Sequence, residues 1–484
     1  MACKKCGKDK DKTKKTKKTK KTKAKKENHD LLYIMNPGCG WCKKADPVVE
    51  ELVKAGYDIT TLDMNIPEQA ERANSAKSKF KAQCGTPLFL DAETGNMACG
   101  FREKDVLEKW AKGEAMPAPA PRPERPAEKN KPETWKLEYI WLDGNDTKNL
   151  RSKVRYSKIV PQANLLKVIP QWSFDGSSTN QATSENSDCL LKPVKVLPNP
   201  IESRQMPTYY ILCEVLNADG TPHETNTRAK LRKAISESDI EQHMFIGIEQ
   251  EYVVTDPRTN KPLGWDKYEG EGPPPQGQYY CGVGADTNVS RNLAEAHANI
   301  CLQSSINLDG FHPEVMLSQW EYQTGIGTPL DISDQLWMSR FILQRIGERM
   351  DVSISYDPKP VEGDWNGSGA HINFSNRGMR EDKDLGYINL LCASLQESHS
   401  EAIGAYGIGN EKRLTGNHET SSIENFSWGE ADRTASIRIP LSTAKNGRGH
   451  VEDRRPAANM DPYEALTYII STVSNINRDM LVTT

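Results

Sequence analysis

The chain has 484 residues, a net charge of −3, and 36% hydrophobic against 27% charged residues, which is length for about two to four domains. No stretch approaches the roughly 18 apolar residues of a membrane span, and 11 cysteines in so long a chain do not make a disulfide scaffold. Near-balanced charge hides a strongly basic start.

Residues 4–26 repeat Lys-Lys-Thr with almost nothing apolar to bury, so residues 1–28 are expected to be a disordered, solvated tail. Contact with RNA or an anionic surface is the less favoured reading of such a tail. It lacks an apolar h-region and any arginine or serine bias, so a cytoplasmic protein with neither membrane nor nucleic-acid partner is expected.

Leu31-Leu32-Tyr33-Ile34-Met35 is a short buried strand leading into Gly38-Cys39-Gly40-Trp41-Cys42 and a helical pattern (Val48, Val49, Leu52, Val53). Strand, CxxC, helix puts Cys39 at a helix N-terminus, where the macrodipole favours a thiolate; Cys42 can close or release a disulfide. A strand over Tyr57 to Met64, a helix and Gly85-Thr86-Pro87-Leu88-Phe89-Leu90 follow. Over about residues 29–112 this resembles the thioredoxin/glutaredoxin family, in which a cis proline faces the CxxC; Pro87 is the matching position. Trp41 departs from that family's usual Pro or Tyr. A zinc site from Cys3, Cys6, Cys39 and Cys42 is the rival, disfavoured by the long spacer. The remaining cysteines considered (Cys189, Cys213, Cys281, Cys301, Cys392) are expected to be reduced core residues.

Residues 113–133 carry Met116-Pro117-Ala118-Pro119-Ala120-Pro121 and are expected to be a semi-rigid linker. Leu137 to Gly144 alternates and turns as a hairpin strand does, and short strands continue through Val215. Among them Phe174-Asp175-Gly176-Ser177-Ser178 is, by composition, only a good turn. A helix is expected near Thr227–Ile240.

Phe245, Ile246, Ile248, Tyr252, Val253 and Val254 mark a buried strand. Glu249 and Glu251 inside it share one face, about 6.5–7 Å apart. Two acids there are costly unless something positive lies between them, although an isolated Glu-x-Glu is more often solvated. Leu293 to Leu302 is helical. Glu314 and Glu321 would fall on opposite faces of a straight strand. A tight hairpin turning at Leu317-Ser318 makes them directly opposed partners, which like charges tolerate only around a cation; hairpin and cation are expected together.

Ser333 is expected to cap a long amphipathic helix containing Leu336, Phe341, Leu343, Ile346 and Met350. Trp365-Asn366-Gly367-Ser368-Gly369-Ala370-His371-Ile372-Asn373-Phe374-Ser375 is a glycine-rich approach to a strand on which His371 and Asn373 share a face. A lone strand histidine is usually a satisfied core residue; after Gly-x-Gly it becomes a metal-ligand candidate. Arg413 to Thr420 is a polar loop, Arg438 sits within Ile-Arg-Ile, and Glu452 and Arg454 share a face. Buried arginines there fit phosphate or carboxylate. Together, five carboxylates (Glu249, Glu251, Glu314, Glu321, Glu452) and His371 suit two or three hard divalent ions, Mg²⁺ or Mn²⁺. Arg413, Arg433, Arg438 and Arg454 add a nucleotide polyphosphate and an anionic co-substrate: metal-dependent phosphoryl transfer to a carboxylate.

These segments, with Gly282-Val283-Gly284-Ala285-Asp286, Gln319-Trp320-Glu321 and Glu452-Asp453-Arg454-Arg455-Pro456, occur in the order found in eukaryotic-type (type II) glutamine synthetases, which the chain resembles from about Leu137 onward. The resemblance implies an α+β protein: a thioredoxin-like α/β domain at 29–112, a small β-grasp domain at 134–226 and a large α/β catalytic domain at 227–484. It implies Glu251, Glu314 and Glu321 on one metal, and Glu249, His371 and Glu452 on the other. Trp365, Asn366, Gly367, Arg413 and Arg454 would surround glutamate. Glu249, Asn373, Ser375, Arg433 and Arg438 would serve ATP, with Arg433 also catalytic. Glu419 would take a proton from ammonium, and Asp175 would help bind ammonium in a neighbouring subunit's site. Family members form decamers of two stacked pentameric rings. Phe245 and His450-Val451 depart from the family near its nucleotide. The implied activity is glutamate–ammonia ligase with ATP as co-substrate. Alternatives are a γ-glutamyl ligase using another amine, and a thiol-disulfide oxidoreductase at Cys39/Cys42 on a ligase-like scaffold.

Overall fold

The computed structural model describes residues 29–82, 84–116, 132–202, 206–238, 244–268, 272–274, 277–381, 385–474 and 476. The basic tail, Cys3, Cys6 and most of the Pro-rich stretch lie outside the described residues. The chain divides into two compact units, Met1–Glu128 and Lys129–Thr484.

In the first unit, β1 (Leu31–Met35), α1 (Gly40–Lys54), β2 (Ile59–Asp63), α2 (Pro67–Lys79), β3 (Leu88–Asp91), β4 (Met97–Cys99) and α3 (Lys104–Ala111) follow in order. The sheet runs β2-β1-β3-β4, with β1–β2 parallel and the other pairs antiparallel. Period-two alternation divides β1 between two cores. Leu31 and Tyr33 pack with Val49, Leu52, Leu107 and Trp110, while Leu32 and Ile34 pack with Leu62, Ala73 and Leu88. Burial on both faces is why β1 is an unbroken apolar run. The Thr86–Pro87 peptide is cis.

The second unit opens with β5 (Glu133–Leu142), β6 (Leu150–Ile159), β7 (Trp172–Asp175), β8 (Asp188–Pro198) and β9 (Thr208–Leu216), ordered β6-β5-β9-β8-β7. Alternation along β5 buries Trp135, Leu137, Tyr139 and Trp141 in one cluster. Helix α4 (Thr227–Glu237) follows, capped by the Asn226 side chain.

The larger sheet is built from β10 (Phe245–Thr255), β11 (Leu308–Pro313), β12 (Gln319–Thr324), β13 (Ser353–Ser355), β14 (Ala370–Ser375), β15 (Trp428–Glu430), β16 (Ile437–Ile439) and β17 (Val451–Asp453). Its order is β11-β12-β10-β14-β17-β16-β15, with β13 also on β10. Helices α5 (Arg291–Gln303) and α6 (Pro329–Met350) lie between these strands in sequence. Ile246, Ile248, Tyr252 and Val254 of β10 share one large core with Leu336, Phe341, Ile342 and Ile346 of α6.

The structure corrects four expectations. Helix α6 begins at Pro329 behind Thr328, so Ser333 is not its cap; one turn inside, its hydroxyl donates to the Pro329 carbonyl at 2.8 Å. Proline at the first helical position, where no N–H is needed, sets that start. Phe245 is 44% exposed rather than buried, at the strand's entry with the Arg380 guanidinium 4.5 Å from its ring centroid. Cys281 is exposed, unlike Cys189, Cys213, Cys301 and Cys392. Finally, the β11–β12 hairpin turns through residues 315–318 with Ser318 at φ 76°, Glu314 N–H donates to the Gln319 carbonyl, and His312 stands across from Glu321. Glu314 and Glu321 are therefore not directly opposed. The longer turn slips the register by two residues, and a slip of two, unlike a slip of one, keeps both acids on the same face.

Candidate active site

Strand β10 sets the frame. Its alternation sends Glu249 and Glu251 to one face and Gln250 to the other. Gln250 is fully buried, and its Oε1 accepts from Arg340 Nε (2.9 Å) and Nη2 (2.6 Å), while its Nε2 donates to the Ala458 carbonyl (3.0 Å). That interlock with α6 fixes the strand on which the two acids ride.

Register then carries the row sideways. His312 lies across from Glu321, Glu321 from Glu251, Glu249 from His371, Asn373 from Glu452, and Glu452 from Arg438. Directly opposed residues in antiparallel strands share a face, so acids separated by up to 203 residues of sequence (Glu249 to Glu452; 452 − 249) converge. A cavity of about 560 Å³ is lined by Glu249, Glu251, His312, Glu314, Glu321 and His371, with Arg413, Glu419, Arg433 and Arg454 on loops of its wall, while Glu452 and Arg438 end the row outside that lining.

The row has two electrostatic halves. Around His371, Nδ1 is 3.4 Å from Glu249 Oε2 and 3.5 Å from Glu452 Oε1. Arg438 Nη1 donates to Glu452 Oε2 at 2.7 Å and Arg454 Nη1 to Glu452 Oε1 at 2.5 Å. Burial alone would raise the Glu249 carboxyl, but the His371 hydrogen bond, Asn373 and Arg454 bring it down to about 2. Glu452 is likewise held below the usual carboxylate range against burial, by His371 and Arg454 beside it. Among the described residues, the other half has no arginine paired with it. Burial, then Glu251, lifts Glu314 to about 8, and burial with Glu249, Glu251 and Glu314 pushes Glu321 far above the ordinary range.

Glu251 Oε2 accepts from Gln319 Nε2 (3.0 Å) and Gly369 N–H (2.9 Å). Gly369 lets those two side chains close in: a Cβ there would stand 2.5 Å from Arg413 Nη2 and 2.8 Å from His371 Nε2 and displace them. Arg413 is buried, and Nη2 donates to His371 Nε2 at 3.1 Å. Glu419 adopts φ 60° and its carbonyl accepts from Arg454 Nη2 at 3.3 Å; a left-handed glutamate on a cavity wall is the kind of strain functional loops hold.

Three groups each bring their ligand atoms within 4.8 Å of one another: Glu249/His371/Glu452, Glu251/Glu321/His371 and His312/Glu314/Glu321. Anionic oxygens with one imidazole per group, half of them short of positive charge, fit divalent cations. The grouping differs in detail from the one the resemblance implies, since Glu251 and Glu314 fall in separate groups and His312 joins. His312, Gln319 and Gln323 were missed in the sequence. The two glutamines were findable, because they alternate with Glu321 on β12.

Other expected residues lie off the cavity lining. Asn373 Nδ2 donates to Glu249 Oε1 (2.8 Å), and Ser375 Oγ accepts from Arg380 Nη1 (2.8 Å). Trp365 is buried against Trp265 at 4.6 Å, whereas Asn366 and Gly367 do line the wall. Asp175 is exposed on the smaller sheet, where Oδ1 accepts from Ser177 N–H (3.0 Å) and Oγ (2.6 Å). His450, near Arg438 and Glu452, is kept neutral by burial.

In the first unit, Cys39 is the N-cap residue of α1 and its Sγ donates to the Thr86 carbonyl at 3.4 Å. The hydrogen bond from Cys42 holds the Cys39 thiol below its usual range, while burial raises Cys42. Cys39 and Cys42 are unpaired thiols, and Cys84 and Cys99 form a disulfide.

Fold and site thus define a sheet-borne, carboxylate-rich centre for cations and anions, of the ligase or phosphoryl-transfer class. Comparison with known proteins sharpens this. The family model described as glutamine synthetase, beta-Grasp domain, matches residues 133–218, and that described as glutamine synthetase, catalytic domain, matches residues 224–385. The chain is 46% identical over 345 residues to the chloroplastic glutamine synthetase of Chlamydomonas reinhardtii, covering 69% of this chain and 90% of the relative. It is 48% identical over 342 residues to a glutamine synthetase of Streptomyces viridochromogenes, covering 70% and 96%. The chain belongs to the glutamine synthetase family and is a ligase of that family.

Proposed function

We propose that this chain makes glutamine from glutamate, ammonia and ATP: the γ-phosphoryl group passes to the glutamate γ-carboxylate, and ammonia displaces phosphate from the acyl phosphate. The observation that carries this is the row of opposed acids and His371 across four strands, of which Glu249, Glu251, Glu321 and His371 share one cavity with Arg413, Arg433 and Arg454. Glu249, Glu251, Glu314, Glu321, His371 and Glu452 would hold divalent cations, which would supply charge neutralisation and polarise phosphoryl oxygens.

The protein's own groups do the rest. Arg413, Arg454, Asn366 and Gly367 hold glutamate, the arginines through its carboxylates. Arg433 and Arg438 meet the phosphates, with Asn373 and Ser375 toward the nucleotide. His371 Nε2 lies 3.1 Å from Arg413 Nη2, and its Nδ1 faces Glu249 and Glu452. Glu419 takes the proton from ammonium, and its loop excludes the water that would hydrolyse an acyl phosphate. Asp175, exposed and away from this cavity, serves a neighbouring copy's site; the active form is a homo-oligomer, a decamer of two stacked pentamers.

Residues 29–112 act as a thioredoxin/glutaredoxin-like domain joined by residues 113–133 to the β-grasp (134–226) and catalytic (227–484) domains. The N-cap position of Cys39 and its depressed thiol support thiol–disulfide exchange there.

The test is phosphate release from ATP plus glutamate with Mg²⁺, with and without ammonium. Release should depend on ammonium and fall about 100-fold or more in Glu251→Ala. Release indifferent to ammonium would contradict the reading.

A further inference from the structure

His312 stands opposite Glu321, and its Nε2 is 3.6 Å from Glu314 Oε1 and 3.9 Å from Glu321 Oε1. These separations are too long for hydrogen bonds. They are close to the roughly 3.0–3.5 Å between neighbouring ligand atoms that each lie about 2.1 Å from one cation. The Tyr280 ring meets the imidazole edge-on at 5.4 Å between centroids, holding its plane from the side. Nδ1 is buried without a hydrogen-bond partner among the described residues, so His312 is not a satisfied core histidine.

We infer that His312 is a ligand of the cation held on the Glu314–Glu321 side of the cavity. This rests on the metal-dependent reading above and deepens it. Each cation position then contains one imidazole: His371 beside Glu249 and Glu452, His312 beside Glu314 and Glu321. Imidazole favours first-row transition cations, whereas Mg²⁺ prefers carboxylates and keeps its waters. The cation chemistry this position selects is therefore Mn²⁺ or Co²⁺ over Mg²⁺, more strongly than carboxylates alone would.

The experiment uses the full chain and Mn²⁺ alone, without ATP or glutamate. Bound Mn²⁺ is counted by electron paramagnetic resonance, and nitrogen couplings are read by electron–nuclear double resonance on protein labelled with ¹⁵N-histidine. Wild type should show a histidine coupling in both classes of bound Mn²⁺. His312→Asn should lose the coupling from one class and weaken that class about tenfold, with Mg²⁺ affinity changed less than about threefold; His371→Asn should lose the other. A histidine coupling in one class only in wild type, which needs no variant to fold, overturns the inference and leaves the ligase reading intact. So does an unchanged spectrum and Mn²⁺ affinity in folded His312→Asn. No bound Mn²⁺ at all overturns both.

Discussion

Glu314 shows what a single residue contributes. Burial and the neighbouring Glu251 lift its carboxyl from an ordinary 4.5 to about 8, so the metal-free folded protein holds a proton that the unfolded chain has already released. Its contribution to stability is intact below the unfolded value and is lost as pH rises through about 8. A divalent cation replaces that proton. Melting temperatures measured with chelator and with Mg²⁺ should therefore show a larger Mg²⁺-induced rise at about pH 8.5 than at about pH 6; an equal or smaller rise would contradict the assignment. Gly369 supplies a second residue-level prediction. Alanine there meets Arg413 Nη2 and His371 Nε2, side-chain ends that can move aside. Gly369→Ala should raise the KM for glutamate about tenfold with little change in melting temperature, and an unchanged KM would count against Arg413 as the carboxylate clamp.

Among the strands and helices, the site depends on β10 being pinned from behind. Arg340, only 2% exposed, donates to Gln250 Oε1 and to the Ala458 and Met460 carbonyls. Arg340→Met would strip Gln250 Oε1 of both its donors and the two carbonyls of one each, and should cost about 3 kcal/mol or more, read as a lower denaturant midpoint; a loss within about 0.5 kcal/mol would show that the interlock does not hold the strand. This pairing was not legible in the sequence. The helical pattern placed Leu336 and Phe341 in a core but could not say that an arginine between them meets a glutamine 90 residues away (340 − 250). By contrast, Glu249, Glu251 and His371 were legible, because strand alternation and a glycine-rich approach are local properties. The β11–β12 register was half legible. Turn length decides which residues oppose, and Ser318 in the left-handed region lengthened the turn, bringing His312 into the row unannounced. Face parity survives a two-residue slip, so Glu314 and Glu321 reached the cavity regardless.

At the scale of the whole chain, the structure divides into two compact units. None of the described helices is long and apolar enough to cross a membrane. In the intact chain, Cys39→Ser should abolish reduction of a disulfide substrate while leaving glutamine formation within about twofold under reducing conditions; loss of both would mean that the first unit is needed for the ligase fold. That the acids of the second unit serve one ligation reaction is tested most directly by supplying ¹⁵N-ammonium, glutamate, ATP and Mg²⁺ and identifying the product. The account predicts ¹⁵N in the amide nitrogen of glutamine, one equivalent per phosphate released. ATP cleavage with no ¹⁵N in an amide would contradict it.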